Sequence, residues 1–151
     1  MERRIFLQAS LAGAVVAATG TVGILDASAA WQADAFAARS VALALKSAFG
    51  TEEHSPSDRI AIKAPNLAEN GAMVPVEVTT TLPNVESISF LVEGNQNPLA
   101  ATFRLGANAE RVIATRLKLG RSSAVLVVAR SGGVLYSARK EIRVTIGGCG
   151  G

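Results

Sequence analysis

Val74-Pro75-Val76-Glu77-Val78-Thr79 sets a branched apolar side chain at every second position. A period of two places the three valines on one face of an extended strand and Pro75, Glu77 and Thr79 on the other. The same alternation recurs where Ile60 and Ile62 are interleaved with Arg59, Ala61 and Lys63, and where Ile88, Phe90 and Val92 are interleaved with Ser87, Ser89 and Glu93. Further runs at 101–105, 111–119, 123–130, 134–139 and 141–146 are separated by turn clusters at 66–71, 94–98, 106–108 and 120–122 and by Ser131-Gly132-Gly133. Short half-buried strands punctuated by turns predict a mainly β chain, an immunoglobulin-like β-sandwich of about seven strands. One run departs from the pattern. Val125-Leu126-Val127-Val128 is apolar on both alternations, which predicts a strand covered on its outer face as well, by a helix or by another subunit.

Upstream of the strands the period is helical. Phe36, Ser40, Val41, Leu43, Ala44, Leu45 and Ala48 recur at helical spacing within an alanine-rich stretch, with Gly50 placed as a stop, so one amphipathic helix is expected over 31–49. Thr51-Glu52-Glu53-His54-Ser55-Pro56-Ser57-Asp58 is polar and broken by proline, as a connecting loop would be. The helix and the doubly apolar strand together carry more apolar surface than one small sandwich is expected to bury, which predicts association with a second subunit.

The N-terminus reads as an export signal. Arg3-Arg4-Ile5-Phe6-Leu7 is followed by an uncharged run over 11–25 and then by Ala27-Ser28-Ala29. That run is shorter than the ~20 residues a membrane-spanning helix needs, and the small residues suit a cleavage site. The adjacent arginines resemble a twin-arginine signal, a route that moves folded proteins and places the mature chain in a bacterial periplasm. The organisation expected is a signal peptide at 1–29, helix and loop at 30–57, the sandwich at 58–146 and an arm at 147–151, with no membrane association after cleavage.

The chain has 151 residues and a net charge of +3, room for one domain at ~100–200 residues each. Removing 1–29 takes away two basic residues (Arg3, Arg4) and two acidic ones (Glu2, Asp26), so the mature charge stays at +3. With no block of Lys or Arg, nucleic-acid binding is disfavoured. One cysteine and one histidine exclude an internal disulfide, a zinc ribbon and a Cys-x-x-Cys redox pair, and leave no cofactor or metal expected. Enzyme constellations are equally absent. Glu52-Glu53 reads as a solvated pair, Gly132-Gly133 as a hairpin turn, and His54 either as a base for Cys149 or, as for most loop histidines, as a solvated side chain.

The last residues are of another kind. After Ile142, Val144 and Ile146 the chain ends Gly147-Gly148-Cys149-Gly150-Gly151, four glycines around the one thiol. Glycine has no Cβ and populates the most backbone conformations, so this tail is expected to be a swinging arm that no core can hold. At up to ~3.6 Å per residue, the sulfur can sweep roughly 10 Å from Ile146. No cation, helix N-terminus or metal is encoded beside it, and the terminal carboxylate two residues away disfavours the thiolate. Cys149 reads as an attachment point activated by other proteins.

Several stretches carry a family resemblance. Ile62-Lys63-Ala64-Pro65-Asn66-Leu67-Ala68-Glu69-Asn70-Gly71-Ala72-Met73-Val74-Pro75-Val76, Asn97-Pro98-Leu99-Ala100, Thr115-Arg116-Leu117-Lys118 and the terminal Gly-Gly-Cys-Gly-Gly closely resemble the SoxY family, the sulfur-carrier subunits of the Sox thiosulfate-oxidation system. The resemblance covers the mature chain and extends to the twin-arginine signal. It implies a carrier with no catalytic residues of its own, in which Cys149 holds the sulfur substrate covalently on the arm formed by Gly147, Gly148, Gly150 and Gly151. It further implies a heterodimer with a SoxZ-like subunit and transient visits to a c-type cytochrome, a dimanganese hydrolase and a sulfane dehydrogenase. Two other classes compete. A ubiquitin-like carrier would hold sulfur as a thiocarboxylate on Gly151, but needs ATP that an exported protein lacks, and a structural or assembly sandwich would use Cys149 for an intermolecular disulfide.

Overall fold

The structure, a computed structural model, describes residues 32–146; the segment read as an export signal, the Gly-Gly-Cys-Gly-Gly terminus and Trp31 lie outside the described residues. Two short helices open it, α1 (Ala33–Ala37) and α2 (Val41–Phe49). Nine strands follow: β1 (Ser55–Pro56), β2 (Ile60–Lys63), β3 (Leu67–Asn70), β4 (Val74–Thr80), β5 (Val85–Val92), β6 (Leu99–Arg104), β7 (Val112–Leu117), β8 (Ser123–Ser131) and β9 (Val134–Ile146). β2, β4 and β7 form one antiparallel sheet. The other runs β1-β9-β8-β5-β6, with β3 pairing the far half of β9. The β-sandwich read from the alternation is the fold observed.

The inward face follows the period-two reading closely. Val74, Val76 and Val78 of β4 meet Ile88, Phe90 and Val92 of β5, together with Val125, Val127 and Ala129 of β8 and Ile142 of β9, and all of these are buried. Phe90 is completed by Phe103 of β6, whose ring stands edge-on at a centroid distance of 5.8 Å, the geometry favoured by aromatic quadrupoles. Pro75 is tolerated because β2 ends at the pair Lys63↔Glu77, leaving β4 unpaired on that side.

The outer face explains the doubly apolar run. Leu126 and Val128 of β8, Leu91 of β5, Leu99 of β6 and Leu135 of β9 form a second cluster with Ala35, Ala44 and Leu45 of the helices. Of the two covers expected for this strand, a helix or another subunit, the helix supplies it, since the helices and β8 bury one another. The helix itself is two pieces, not one. Ser40 is extended at φ −143° and its hydroxyl accepts from the Leu43 amide, an N-cap that restarts the helix. Asn97 Nδ2 donates to the Ala37 carbonyl at 2.9 Å, so a polar side chain satisfies a carbonyl freed by the break, and Gln32 Nε2 donates to Ala48 O in the last turn of α2 at 3.0 Å.

Three further expectations are corrected. The 134–139 and 141–146 runs are one thirteen-residue strand, β9. The charged triplet Arg139-Lys140-Glu141 does not interrupt it, because Val125 and Ala124 pair opposite Lys140 and Glu141 and Arg139 is gripped by Glu93 and Glu141. The 66–71 cluster, read as a turn, holds β3, and the 51–58 loop holds β1; both lie parallel to β9. The predicted turn at 131–133 is observed as a two-residue hairpin between Ser131 and Val134. Its φ values of +56° at Gly132 and +78° at Gly133 match the right-handed strand twist at no steric cost only for glycine.

Gly94, after β5, is required for a different reason: a Cβ there would lie 2.6 Å from Ser123 Cβ and 2.8 Å from its Oγ. Gly94→Ala should therefore lower unfolding free energy by ~1–3 kcal/mol, the usual cost of overpacking, read as a lower urea midpoint with unchanged slope. An unaltered midpoint would mean that the 94–98 loop is not seated on β8.

Candidate functional site

The residues predicted to carry the chemistry, Cys149 with Gly147, Gly148, Gly150 and Gly151, lie outside the described residues. The structure does define the root from which they extend. Over its last residues β9 is held on both sides. Leu67, Ala68 and Asn70 of β3 stand opposite Arg143, Val144 and Ile146, and the Arg143 amide donates to Asn66 O at 2.9 Å. Thr145 Oγ1 donates to Glu69 O at 3.0 Å. On the other side Ser122 Oγ accepts from the Val144 amide at 2.8 Å and donates to its carbonyl at 3.3 Å. A short added strand and one hydroxyl thus fix the point of departure to the end of the last pair, Asn70↔Ile146.

The loops around this root come from several elements. A 3₁₀ turn at Gly71–Met73 follows β3 directly and is capped by Asn70, whose Oδ1 accepts from the Ala72 amide at 2.8 Å. The Leu119 amide donates to Gly71 O at 2.7 Å, which draws the β7–β8 connection to the same place. That connection is laced to the β5–β6 loop: Asn95 Nδ2 donates to Lys118 O at 2.7 Å, Asn95 Oδ1 accepts from the Gly120 amide at 3.0 Å, and Arg121 Nε donates to Gly94 O at 3.1 Å. Between the two loops lies an open cavity of about 600 Å³, lined by Gly94, Asn95, Gln96, Asn97, Lys118, Gly120 and Arg121.

Charge at this end is partly cancelled. Glu93 accepts two hydrogen bonds from Arg139, Nε and Nη2 to its two oxygens at 2.9 Å each, and Arg139 also meets Glu141 at 2.8 Å. The Glu93 hydrogen bonds first, and then the charges of both carboxylates, push the Arg139 pKa further above its ordinary value, so it stays protonated. Lys118 and Arg121 enter no ion pair among the described residues.

His54 is elsewhere. It is half-buried, with Nδ1 2.8 Å from Ser137 Oγ, which corrects the reading of a solvated loop histidine. Ser137 lies nine residues before Ile146 on β9, about 30 Å along an extended strand at ~3.3 Å per residue. A thiol three residues beyond Ile146 reaches roughly 10 Å from it, so His54 of the same chain cannot serve Cys149 as a base. Among the described residues no three His, Cys, Asp or Glu side chains gather as metal ligands, and no helix is long and apolar enough to cross a membrane.

The sequence reading missed the loop lacing. Asn97 and Lys118 stood among the family-like stretches without a role, and Arg121 was read only as part of a turn. Gly and Asn in the first cluster and Gly and Ser in the second signalled turns; nothing local signalled that the two would meet.

The comparisons with known proteins agree with this architecture. Residues 45–149 match the model of the sulfur oxidation protein SoxY. In three dimensions the chain is similar to the sulfur carrier protein SoxY from Chlorobium limicola f thiosulfatophilum, at 35% identity and a TM-score of 0.65 over 76% of this chain and 99% of that one. It is also similar in fold to a superoxide reductase (neelaredoxin) from Ignicoccus hospitalis, at 22% identity and a TM-score of 0.50 over 60% of this chain and 80% of that one. No curated protein sequence matches it. With a family match that spans both sheets and a solved relative aligned over nearly its whole length, the chain belongs to the SoxY family of sulfur oxidation proteins.

Proposed function

We propose that this protein carries sulfur intermediates covalently on Cys149 in the periplasm during thiosulfate oxidation and presents them to partner enzymes. The observation that carries the reading is the extent of the family match, which runs through β9 and ends at Cys149 itself. The root geometry supports it. A strand tied on both sides up to Thr145 supplies a fixed pivot, and the chain beyond it offers a thiol that a hydroxyl- or carboxylate-bearing side chain could not replace in forming a sulfur–sulfur bond. In this reading the partners are a SoxZ-like subunit in a heterodimer, a c-type cytochrome that joins thiosulfate to the thiol, a dimanganese hydrolase that releases sulfate, and a sulfane dehydrogenase.

Intact mass spectrometry of protein from thiosulfate-grown cells should find sulfur and sulfonate adducts, and peptide mapping should place them on Cys149. Adducts on Gly151 would indicate a thiocarboxylate carrier, a symmetric disulfide alone would indicate an assembly domain, and either would overturn the proposal.

The periplasmic location rests on the twin-arginine resemblance of Arg3-Arg4. Replacing both with Lys should leave the precursor in the cytoplasm, seen as loss of the mature band from the periplasmic fraction. Normal periplasmic yield would overturn the export assignment.

A further inference from the structure

We infer that the cavity between the β5–β6 and β7–β8 loops is a binding site for a sulfonate-type sulfur oxoanion, whether free thiosulfate or the terminal sulfonate of an adduct on Cys149. It rests on the carrier reading only for the second source. The cavity holds about 600 Å³ and is lined by Asn95, Gln96, Asn97, Lys118 and Arg121 with two glycines. Asn95 and Asn97 are committed to the loops and to Ala37 O; the two cations and the Gln96 amide suit a group whose three oxygens share negative charge and which has no proton to donate. Local charge favours the same class. The nearest carboxylate on these loops, Glu93, is neutralised by Arg139, whereas Lys118 and Arg121 have no carboxylate partner among the described residues. Arg121 spends Nε on Gly94 O, which orients the guanidinium and leaves its terminal nitrogens to a ligand. The rim is pre-built, since Asn95 grips both Lys118 O and the Gly120 amide.

Position ties the cavity to the carrier terminus. The β7–β8 connection reaches Gly71 through the Leu119 amide, and Gly71 follows Asn70, the partner of Ile146. Two hydrogen-bonded neighbours at about 5 Å and two steps along the chain at ~3.8 Å put the cavity wall within roughly 18 Å of the end of β9. Cys149 is three residues beyond that end, a reach of roughly 10 Å before its side chain is counted. The cysteine side chain, the sulfurs of the adduct and the long side chains of Lys118 and Arg121 span the remainder, so a sulfonate on Cys149 would meet the two cations at the millimolar effective concentration of a short tether.

The experiment uses the ¹⁵N-labelled mature protein. Its thiol is loaded with tetrathionate: the Cys149 thiolate attacks a central sulfur, the central S–S bond breaks, thiosulfate leaves with the electron pair, and Cys–S–S–SO₃⁻ remains while the thiol proton passes to buffer. Mass spectrometry reports loading, and amide shifts report occupancy. Loading should move the amides of 94–97 and 118–121, and Lys118→Gln with Arg121→Gln should abolish that response while the rest of the spectrum persists. In Cys149→Ser, free thiosulfate should move the same amides only in the millimolar range, with the double variant about tenfold weaker, the equivalent of ~1.4 kcal/mol. Complete loading without shifts at these amides, or shifts that survive removal of both cations, overturns the site. Persistence of thiosulfate oxidation in Cys149→Ser cells would instead remove the carrier reading, and the free-thiosulfate titration would still decide the cavity.

Discussion

Cys149→Ser should abolish thiosulfate-dependent respiration and change unfolding free energy by no more than about 0.5 kcal/mol, the range of surface substitutions. The chemical half of the expectation follows from the bond involved. A thiolate can displace a sulfur leaving group and later release its cargo by exchange, whereas serine oxygen at neutral pH does neither. The structural half follows from the glycine flanks, which offer a side chain at Cys149 nothing to pack against, and from ties at the end of β9 that are made by Thr145, Ser122 and Asn66 among the described residues. Urea unfolding and growth on thiosulfate measure the two halves separately. Replacing Gly147 and Gly148 with Pro should give an intermediate growth rate, because stiffening restricts the thiol without removing it. Growth of the Ser variant at the wild-type rate would be incompatible with the carrier mechanism.

Leu45→Ala should cost ~2–5 kcal/mol, as for leucine truncation at other buried sites, enough to move a urea midpoint by roughly 1–3 M at an ordinary slope. Leu45 is 1% exposed and packs with Leu91, Leu99, Leu126 and Val128 on the outer face of the larger sheet. If α2 is an integral cover of that sheet, its loss is felt by the whole sandwich. Leu43, on the same helix but 56% exposed, supplies the control, and Leu43→Ala should stay within about 0.5 kcal/mol. Equal, small effects for both would show that the helix is dispensable and that something else covers β8.

The strand faces, the inner core they form and the 131–133 hairpin could be read directly from residue order. Each depends on a local rule: alternation decides which face of β4 or β5 is apolar, and a Gly-Gly pair between two strands admits the left-handed conformations of a tight hairpin. The reading of the terminal Gly-Gly-Cys-Gly-Gly is local in the same way, since it rests on a thiol flanked by glycine, and it lies outside the described residues.

What the local rules missed depends on partners distant in sequence. Leu67-Ala68-Glu69-Asn70 has no strand-like alternation and becomes β3 because the far half of β9, some 75 residues away, offers an unpaired edge. Arg139-Lys140-Glu141 looked like a break and is carried through by pairing with β8 and by Glu93. The helix divides at Ser40 because a side-chain cap and Asn97, 60 residues from Ala37, stabilise the interrupted ends.

By itself, then, the sequence determined the strand faces and the hairpin, both set by the chemistry of adjacent residues. Only the tertiary structure decided that the helices cover β8, that His54 stands about 30 Å of strand from the end of β9, and that the Lys118 backbone meets Asn95 while Arg121 meets Gly94. Those are outcomes of non-local pairing, in which a backbone group takes whichever partner the packed sheets bring within hydrogen-bonding distance, and no spacing along the chain encodes that choice.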